Sequence, residues 1–422
     1  MIAISLGLPS WAQVSTQNPR QTPPAQNAAA ILTQAQQALD KNDFQHAATL
    51  LAEYLAQHPE NAAAHFQLGY AYSNLKREAD AAKEYARATE LKPNFAEAHL
   101  NLGLALMDSD PAAAAASFKR AADLMPNQAK PRFLAGYALE RSGDYAGAAA
   151  EYDQASALDA KSFDVFFSWG RALLRAGDAA GAEQRFRQAL ALRADSAPAH
   201  LGLANSLVEQ RKADAAAEFT EYLKLQPADR AARLQLASLL YDSGKTVEAL
   251  AELDRVDAGG PPSGESARLR ASIAISQEQW DAAVRVLSPA VAAAPSDAVL
   301  HAELGHVLLE KKDYANARPE LQKAITLDPK QTDVLRDLMD AEYLGGDCPA
   351  ALQSLDELAQ REAPKAGVWF VRATCYDKQQ RIAEAASAYH KFLDMDESRN
   401  DKQDFQARER LKVLERQIDK KK

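Results

Sequence analysis

An alanine returns at a nearly fixed interval through most of the chain. Ala47, Ala81, Ala114, Ala148, Ala182, Ala215, Ala249, Ala283, Ala317, Ala351 and Ala385 stand 34 residues apart, apart from two steps of 33. A period sustained over that length argues against a single core that closes on itself. It predicts a stack of like units, each burying its apolar face against the next. Four residues after each alanine comes a large apolar side chain (Leu51, Tyr85, Phe118, Tyr152, Phe186, Phe219, Leu253, Leu287, Leu321, Leu355 and Tyr389). That spacing places both on one face of a helix. Twelve residues earlier, or eleven in the two short units, stands a second small residue: Ala35, Gly69, Gly103, Gly136, Gly170, Ala204, Ala237, Ala271, Gly305 and Ala373, broken only by Met339. Two small positions of this kind predict two helices that cross closely, the small residues facing each other.

Short polar turns separate the two helical stripes, as at Lys41-Asn42-Asp43, Ser142-Gly143-Asp144, Ala176-Gly177-Asp178 and Gly345-Gly346-Asp347. There glycine ends one helix and aspartate caps the next, so each pair doubles back. Proline closes most units, at Pro59, Pro93, Pro126, Pro227, Pro261, Pro295 and Pro329, because it cannot continue a helix. A helix-turn-helix of this length, with small residues at positions 8 and 20, a large apolar residue at 24 and proline at 32, resembles the tetratricopeptide repeat (TPR) family. The resemblance places eleven repeats, starting at Ala28, Ala62, Ala96, Ala129, Phe163, Ala197, Arg230, Gly264, Ala298, Thr332 and Ala366. It implies an all-α superhelical solenoid of antiparallel helix pairs. Repeats one to seven are expected over residues 28–258 and repeats eight to eleven over 265–399. Between them Gly259-Gly260-Pro261-Pro262-Ser263-Gly264 reads as a hinge-like linker, 259–264. Residues 400–422 read as a capping helix with a basic tail, Ala407, Leu411, Leu414 and Ile418 forming its apolar stripe.

At the other end, the apolar run Ile2 to Leu8 followed by Pro9-Ser10-Trp11-Ala12-Gln13 is expected to be a secretory signal over residues 1–12, cut after Ala12. It lacks a basic leading segment and reads as truncated. Residues 13–27 are expected to be a disordered lead-in. A periplasmic or secreted location follows from that reading, and a cytoplasmic one if the apolar run carries no signal. No other stretch approaches the roughly 20 apolar residues that span a bilayer. The formal charge of -9 removes the basic footprint that nucleic-acid binding requires.

Catalytic and metal readings find no support in the residue pattern, and no cofactor is expected. His65, His99, His200 and His301 all take position 4 of their repeats, one per hairpin, whereas a metal needs ligands converging on one point. No Ser-His, Cys-His or glycine-rich phosphate signature accompanies the scattered carboxylates. Cys348 and Cys375, the only cysteines, lie near the same end of adjacent hairpins and are expected to form a disulfide in an oxidising compartment, with two buried thiols as the alternative.

The resemblance implies that a partner lies in a concave groove formed by positions 2, 5, 9, 12 and 13 of the first helices. In repeats two to five these are Phe66, Tyr70, Leu100, Leu104, Met107, Phe133, Tyr137, Phe167 and Leu174, interleaved with Asn74, Lys130, Arg141, Arg171 and Arg175. Such a set marks a binding surface for a protein or peptide. The alternative is that these side chains pack on one another. Later repeats are more polar there, with Arg268, Ser272, His306, Asp340, Thr374 and Asp377. The carboxylate clamp with which some TPR domains hold chaperone tails is not expected. Asn101 and Lys130 match it, but Phe66 and Tyr70 stand where it has Lys and Asn, and Leu134 where it has Arg. The expected function is a non-catalytic adaptor that assists assembly of an envelope or secreted complex. Self-association, or an accessory role in a polysaccharide or glycosyltransferase system, are the alternatives.

Overall fold

The computed structural model describes residues 23–258, 262–395 and 401–420, and among them it is helical throughout, without strands. The first helices of the hairpins are α1 (Pro23–Asp40), α3 (Ala62–Asn74), α5 (Ala96–Leu106), α7 (Ala129–Ser142), α9 (Phe163–Arg175), α11 (Ala197–Glu209), α13 (Arg230–Asp242), α15 (Gly264–Ser276), α17 (Ala298–Glu310), α19 (Thr332–Leu344) and α21 (Ala366–Lys378). Their second helices are α2 (Phe44–Gln57), α4 (Glu78–Leu91), α6 (Pro111–Leu124), α8 (Tyr145–Leu158), α10 (Ala179–Leu192), α12 (Ala215–Leu225), α14 (Thr246–Asp257), α16 (Trp280–Ala293), α18 (Tyr314–Leu327), α20 (Cys348–Arg361) and α22 (Ile382–Met395). From the second repeat onward, every repeat start read from the sequence is the first residue of a helix. The exception is α1, which begins at Pro23 rather than Ala28. The expected signal, and the lead-in as far as residue 22, lie outside the described residues.

The chain divides into two compact units, Met1–Ala228 and Asp229–Lys422. In each, the repeat signature has a direct packing meaning. The ten alanines at position 20 and its equivalents from Ala47 to Ala351, and Ala385 after them, are all fully buried. The small residue at position 8 meets the large side chain of position 24. A Cβ on Gly103 would stand 2.6 Å from the Phe118 ring, and one on Gly305 2.6 Å from Leu321. The expectation that the two small positions face each other therefore needs correction. What fills the space above position 8 is the ring or branched chain of position 24, and the missing side chain is the socket for it.

The turns between paired helices share one backbone device. Position 15 is left-handed in ten repeats: glycine at Gly143, Gly177, Gly244 and Gly346, but Asn42, Lys76, Arg211, Glu278, Lys312 and Gln380 elsewhere. Aspartates then cap second helices, Asp144 accepting from the Gly147 N–H and Asp178 from the Gly181 N–H. A side chain in the left-handed region costs roughly 1 kcal/mol or more relative to glycine, part of which returns through the freer unfolded chain. Lys312→Gly is therefore expected to stabilise the second unit by about 0.5–1 kcal/mol in urea unfolding.

A second device joins first helix, second helix and the loop before them. His65 Nδ1 faces Glu84 at 2.6 Å while Nε2 faces the Pro59 carbonyl at 3.0 Å. His200 does the same with Glu218 and Ala194, and His301 with Glu320 and Pro295. Arginine takes the histidine's place at Arg132, paired with Glu151, and at Arg233, paired with Glu252. The position-4 histidines thus have a structural use.

The expected linker lies inside the second unit, with residues 259–261 outside the described ones. On either side of it, α14 and α15 pack more sparsely than any other consecutive helices of that unit. Limited proteolysis is expected to cut first near Gly259 to Gly264, and uniform resistance there would contradict a hinge. The second unit ends in α23 (Asp401–Asp419), whose Ala407, Leu411 and Leu414 bury against Phe370, Tyr389 and Phe392. The exposed residues of α23 are polar apart from Phe405 and Val413.

Candidate partner-binding face

First helices of successive repeats lie side by side in the first unit, and polar links run between them. Gln67 donates to Gln36 at 2.8 Å, joining α3 to α1. Arg141 reaches Asp108 at 2.6 Å, joining α7 to the turn after α5. Arg171 makes two bonds to Glu140, at 2.6 and 2.7 Å, joining α9 to α7. These bonds hold the row of first helices in register.

Between the links stand the apolar candidates. Position 5 supplies Phe66, Phe133 and Phe167, each leaning on the buried position-24 ring of its own repeat: Tyr85 at 5.7 Å, Tyr152 at 5.7 Å and Phe186 at 6.0 Å between centroids. Each remains half-buried. Both sequence readings thus contain part of the answer, since the rings pack internally and still keep a face to solvent. Tyr70 meets Phe44 edge-on at 6.1 Å, Leu104 and Met107 are half-buried against the core, and Tyr137 is 37% exposed.

Two candidates stand differently from the expectation. Leu100 is only 4% exposed and belongs to the core, packed in the same buried cluster as Phe118 and Leu139. Arg171 is engaged by Glu140, whose carboxylate also accepts from the Tyr152 hydroxyl at 3.3 Å. That pair holds the Arg171 guanidinium above its usual range, the Glu140 hydrogen bond outweighing the cost of burial. Arg171 is thus a fixed part of the frame. Lys130 is exposed on α7.

Sequence reasoning missed the extension of the aromatic row at the edges. Phe95 lies 4.8 Å from Phe66, with Lys92 over its outer side at 4.8 Å. Phe163 stacks on Phe167 at 5.6 Å, nearly parallel, with Arg193 over it at 3.9 Å. The available signal was a phenylalanine at a repeat boundary with a cation at position 31 of the hairpin, in repeats two and five alike.

The corresponding face of the second unit is charged. His306 bonds Asp337 at 2.8 Å, and Arg268 bonds Glu303 at 2.7 Å. Asp340 has no ion-pair partner among the described residues. Burial first, then the neighbouring Asp337 and Glu310, push its carboxyl up to about 6 from the usual 3.8. A carboxyl raised in the fold binds its proton more tightly there than in the unfolded chain. Its stabilising contribution is therefore complete below about pH 4 and is lost as pH rises through about 6. Asp340→Asn is expected to stabilise the second unit at pH 7.5 by about 1 kcal/mol, a figure discounted for its partial exposure. The gain should vanish by about pH 4 in parallel urea titrations.

At the end of the second unit an open cleft of about 490 Å³ lies between α21 and α23, lined by Phe370, Thr374, Tyr389, Val413 and the 66% exposed Phe405. Cys348 and Cys375 both lie buried in one apolar cluster, as free thiols. Burial, followed by contact with Cys348, pushes the Cys375 thiol well above its usual range. Among the described residues no set of side chains is arranged to hold a metal ion, and no helix is long and apolar enough to cross a membrane.

A tetratricopeptide-repeat family model matches residues 32–94, 108–164, 268–332 and 337–400, more than half of the chain. Related models match residues 79–110, described as a TPR repeat, and residues 173–221 and 207–273, described as a tetratricopeptide repeat. No curated protein matches. Among solved structures, the crystal structure of MamA protein is 22% identical, the match covering 40% of this chain and 94% of that one at a TM-score of 0.38. YrrB, described as a TPR protein with an unusual peptide-binding site, is 17% identical over 43% of this chain and 95% of that one, at 0.39. Yeast Tom70 is 13% identical over 93% and 96%, at 0.36.

Proposed function

Because the chain belongs to the tetratricopeptide-repeat family, and is a helical scaffold built of such repeats, we propose that it holds a protein or peptide partner along the first-helix face of its first unit. The observation that carries this reading is the row of half-buried rings on that face. Phe66, Phe133 and Phe167 are braced from behind by core rings and present their other side outward. Braced aromatics lose little side-chain freedom on binding, which is why such residues dominate interface energies. Two of the four cations on this face are already paired internally, Arg171 with Glu140 and Arg141 with Asp108. Recognition would then rest on apolar contact more than on ion pairs. The role is that of an adaptor, and complementarity takes the place of chemistry.

Selection of a displayed peptide library on the immobilised full chain tests the proposal. Enriched peptides should carry apolar or aromatic anchors, and Tyr137→Asp, at an exposed site, should weaken their binding at least tenfold. Peptides that bind parent and variant equally, or no enrichment, would count against this face. Export is the second part of the proposal, supported by the apolar residues 2–8 and the small residues before Gln13. A mature N-terminus at Gln13 in an extracytoplasmic fraction is expected, and an intact chain in the cytoplasm would contradict it. Assistance in assembling an envelope or secreted complex would follow from the two parts together.

Self-association is favoured by one observation, Phe405 exposed beside the terminal cleft. A size on light scattering that grows with concentration, and that Phe405→Ser abolishes, would support it.

A further inference from the structure

We propose that Cys348 and Cys375 form a closable dithiol, a modification site at which a disulfide donor staples the terminal hairpin and its capping helix to the rest of the second unit. Cys348 is the first residue of α20 and Cys375 lies within α21, 3% and 0% exposed. Both belong to the large apolar cluster of that unit, together with Leu338, Ala341 and Leu355. The terminal cluster around Phe370, Phe392 and Leu414 is separate from it. Cys375 thus sits where the two clusters meet, on the helix that begins the terminal one.

That seam is a weak one. After α14 and α15, the helices α20 and α21 form the sparsest consecutive pair in the unit, and residues 363–365 between them carry no regular structure. A covalent tie has the greatest effect where noncovalent packing is thinnest, because it removes the local opening of that segment. Cys348 and Cys375 share one buried cluster on consecutive helices, so closing the bond requires no rearrangement of the helix order.

The chemistry is thiol–disulfide exchange with a disulfide donor, either a small molecule such as oxidised glutathione or a protein disulfide. One cysteine loses its proton, and its thiolate attacks a donor sulfur. The donor S–S bond breaks, a mixed disulfide forms, and one donor thiolate leaves and takes up the proton. The second cysteine thiolate then attacks the mixed disulfide and displaces the remaining donor half, which leaves as a thiol. The two protein thiols are oxidised by two electrons, and the donor disulfide is reduced to two thiols. Burial makes the folded thiols slow to react, so closure takes place as the terminal hairpin opens or while it folds. Once closed, the same burial shields the bond from reductants.

The test is to refold the full chain from urea in oxidised glutathione, denature it, block free thiols with N-ethylmaleimide and measure its intact mass. The expected product is monomeric, carries no maleimide and has the parent mass less two hydrogens. Cys348→Ser and Cys375→Ser should each give a single glutathione adduct instead. Amide exchange in α21 to α23 should slow about a hundredfold in the closed form relative to the reduced parent. Two maleimides on the parent, glutathione adducts on both of its cysteines, or a disulfide between chains would each overturn the proposal. So would closure that leaves exchange in α21 to α23 unchanged.

Discussion

Phe118→Ala is expected to lower the stability of the hairpin formed by α5 and α6 by about 3–5 kcal/mol. The Phe118 ring is fully buried and occupies the space above Gly103, whose Cβ, if present, would lie 2.6 Å from it. Removing the ring loses its transfer energy and leaves a cavity that the helices can only partly close. Gly103→Ala works from the other side. Its methyl gains about 1 kcal/mol in helix propensity but forces the ring out of its socket, at a cost of about 1–3 kcal/mol for overpacking. Together the two changes should cost less than their sum, because the new methyl enters the vacated space. Repeat arrays open unit by unit, so the readout is amide exchange in α5 and α6 beside urea unfolding of the whole chain. Additive losses would mean that position 8 and position 24 are not socket and plug.

The second large effect is electrostatic. Arg233→Met is expected to destabilise the second unit by about 2–4 kcal/mol, because it leaves Glu252 in a largely buried setting without its principal partner. The pair is close, at 2.7 Å, and both side chains are only 12% exposed. Arg255 also reaches Glu252 but is itself well exposed, and it softens the loss without removing it. Arg233→Met combined with Glu252→Leu should recover most of the stability, since an apolar pair fills the same space with no charge to desolvate. Urea unfolding of the three variants at low and moderate salt checks this. A double variant as unstable as the single one would show that the arginine acts through packing alone.

The two predictions also mark where the sequence was transparent and where it was not. Helix starts at Ala62, Ala96, Ala129 and Phe163 could be read to the residue because the period fixes them, with Pro59, Pro93 and Pro126 marking the boundary before the first three. The pairing of position 4 with position 23 was also legible, and was missed because histidine alone drew attention. His65, Arg132, His200, Arg233 and His301 each have a glutamate at the equivalent place in the second helix, Glu84, Glu151, Glu218, Glu252 and Glu320, whereas His99 has Ser117 and the apolar Leu335 has Ser354. An array carries its own alignment, and reading columns within it would have found the pair.

The candidate face was only partly readable, for a physical reason. Aromatic side chains at position 5 lean on position 24, but burial there varies from repeat to repeat and does not follow size, since Phe370 is buried while Leu32, Leu201 and Leu234 are half-buried. Leu100 and Phe370 lie in the core, while Phe66, Phe133 and Phe167 stay half-buried, a difference set by the neighbouring repeat and not by the residue itself. Arg171 presented the opposite problem. An arginine among aromatics looks like a free anchor until the neighbouring helix supplies Glu140. Contacts made across repeats, some 30 residues apart in sequence, are what composition at a single position cannot show.

The central claim is that the row of first helices in the first unit meets a partner. The most direct measurement is photo-crosslinking in living cells, with benzoylphenylalanine placed in the full chain at Tyr137 on α7 and, as a control, at the exposed Leu158 on α8. The account predicts a discrete crosslinked protein from position 137 and none from position 158. Crosslinks from position 158 alone, or none from position 137, would contradict it.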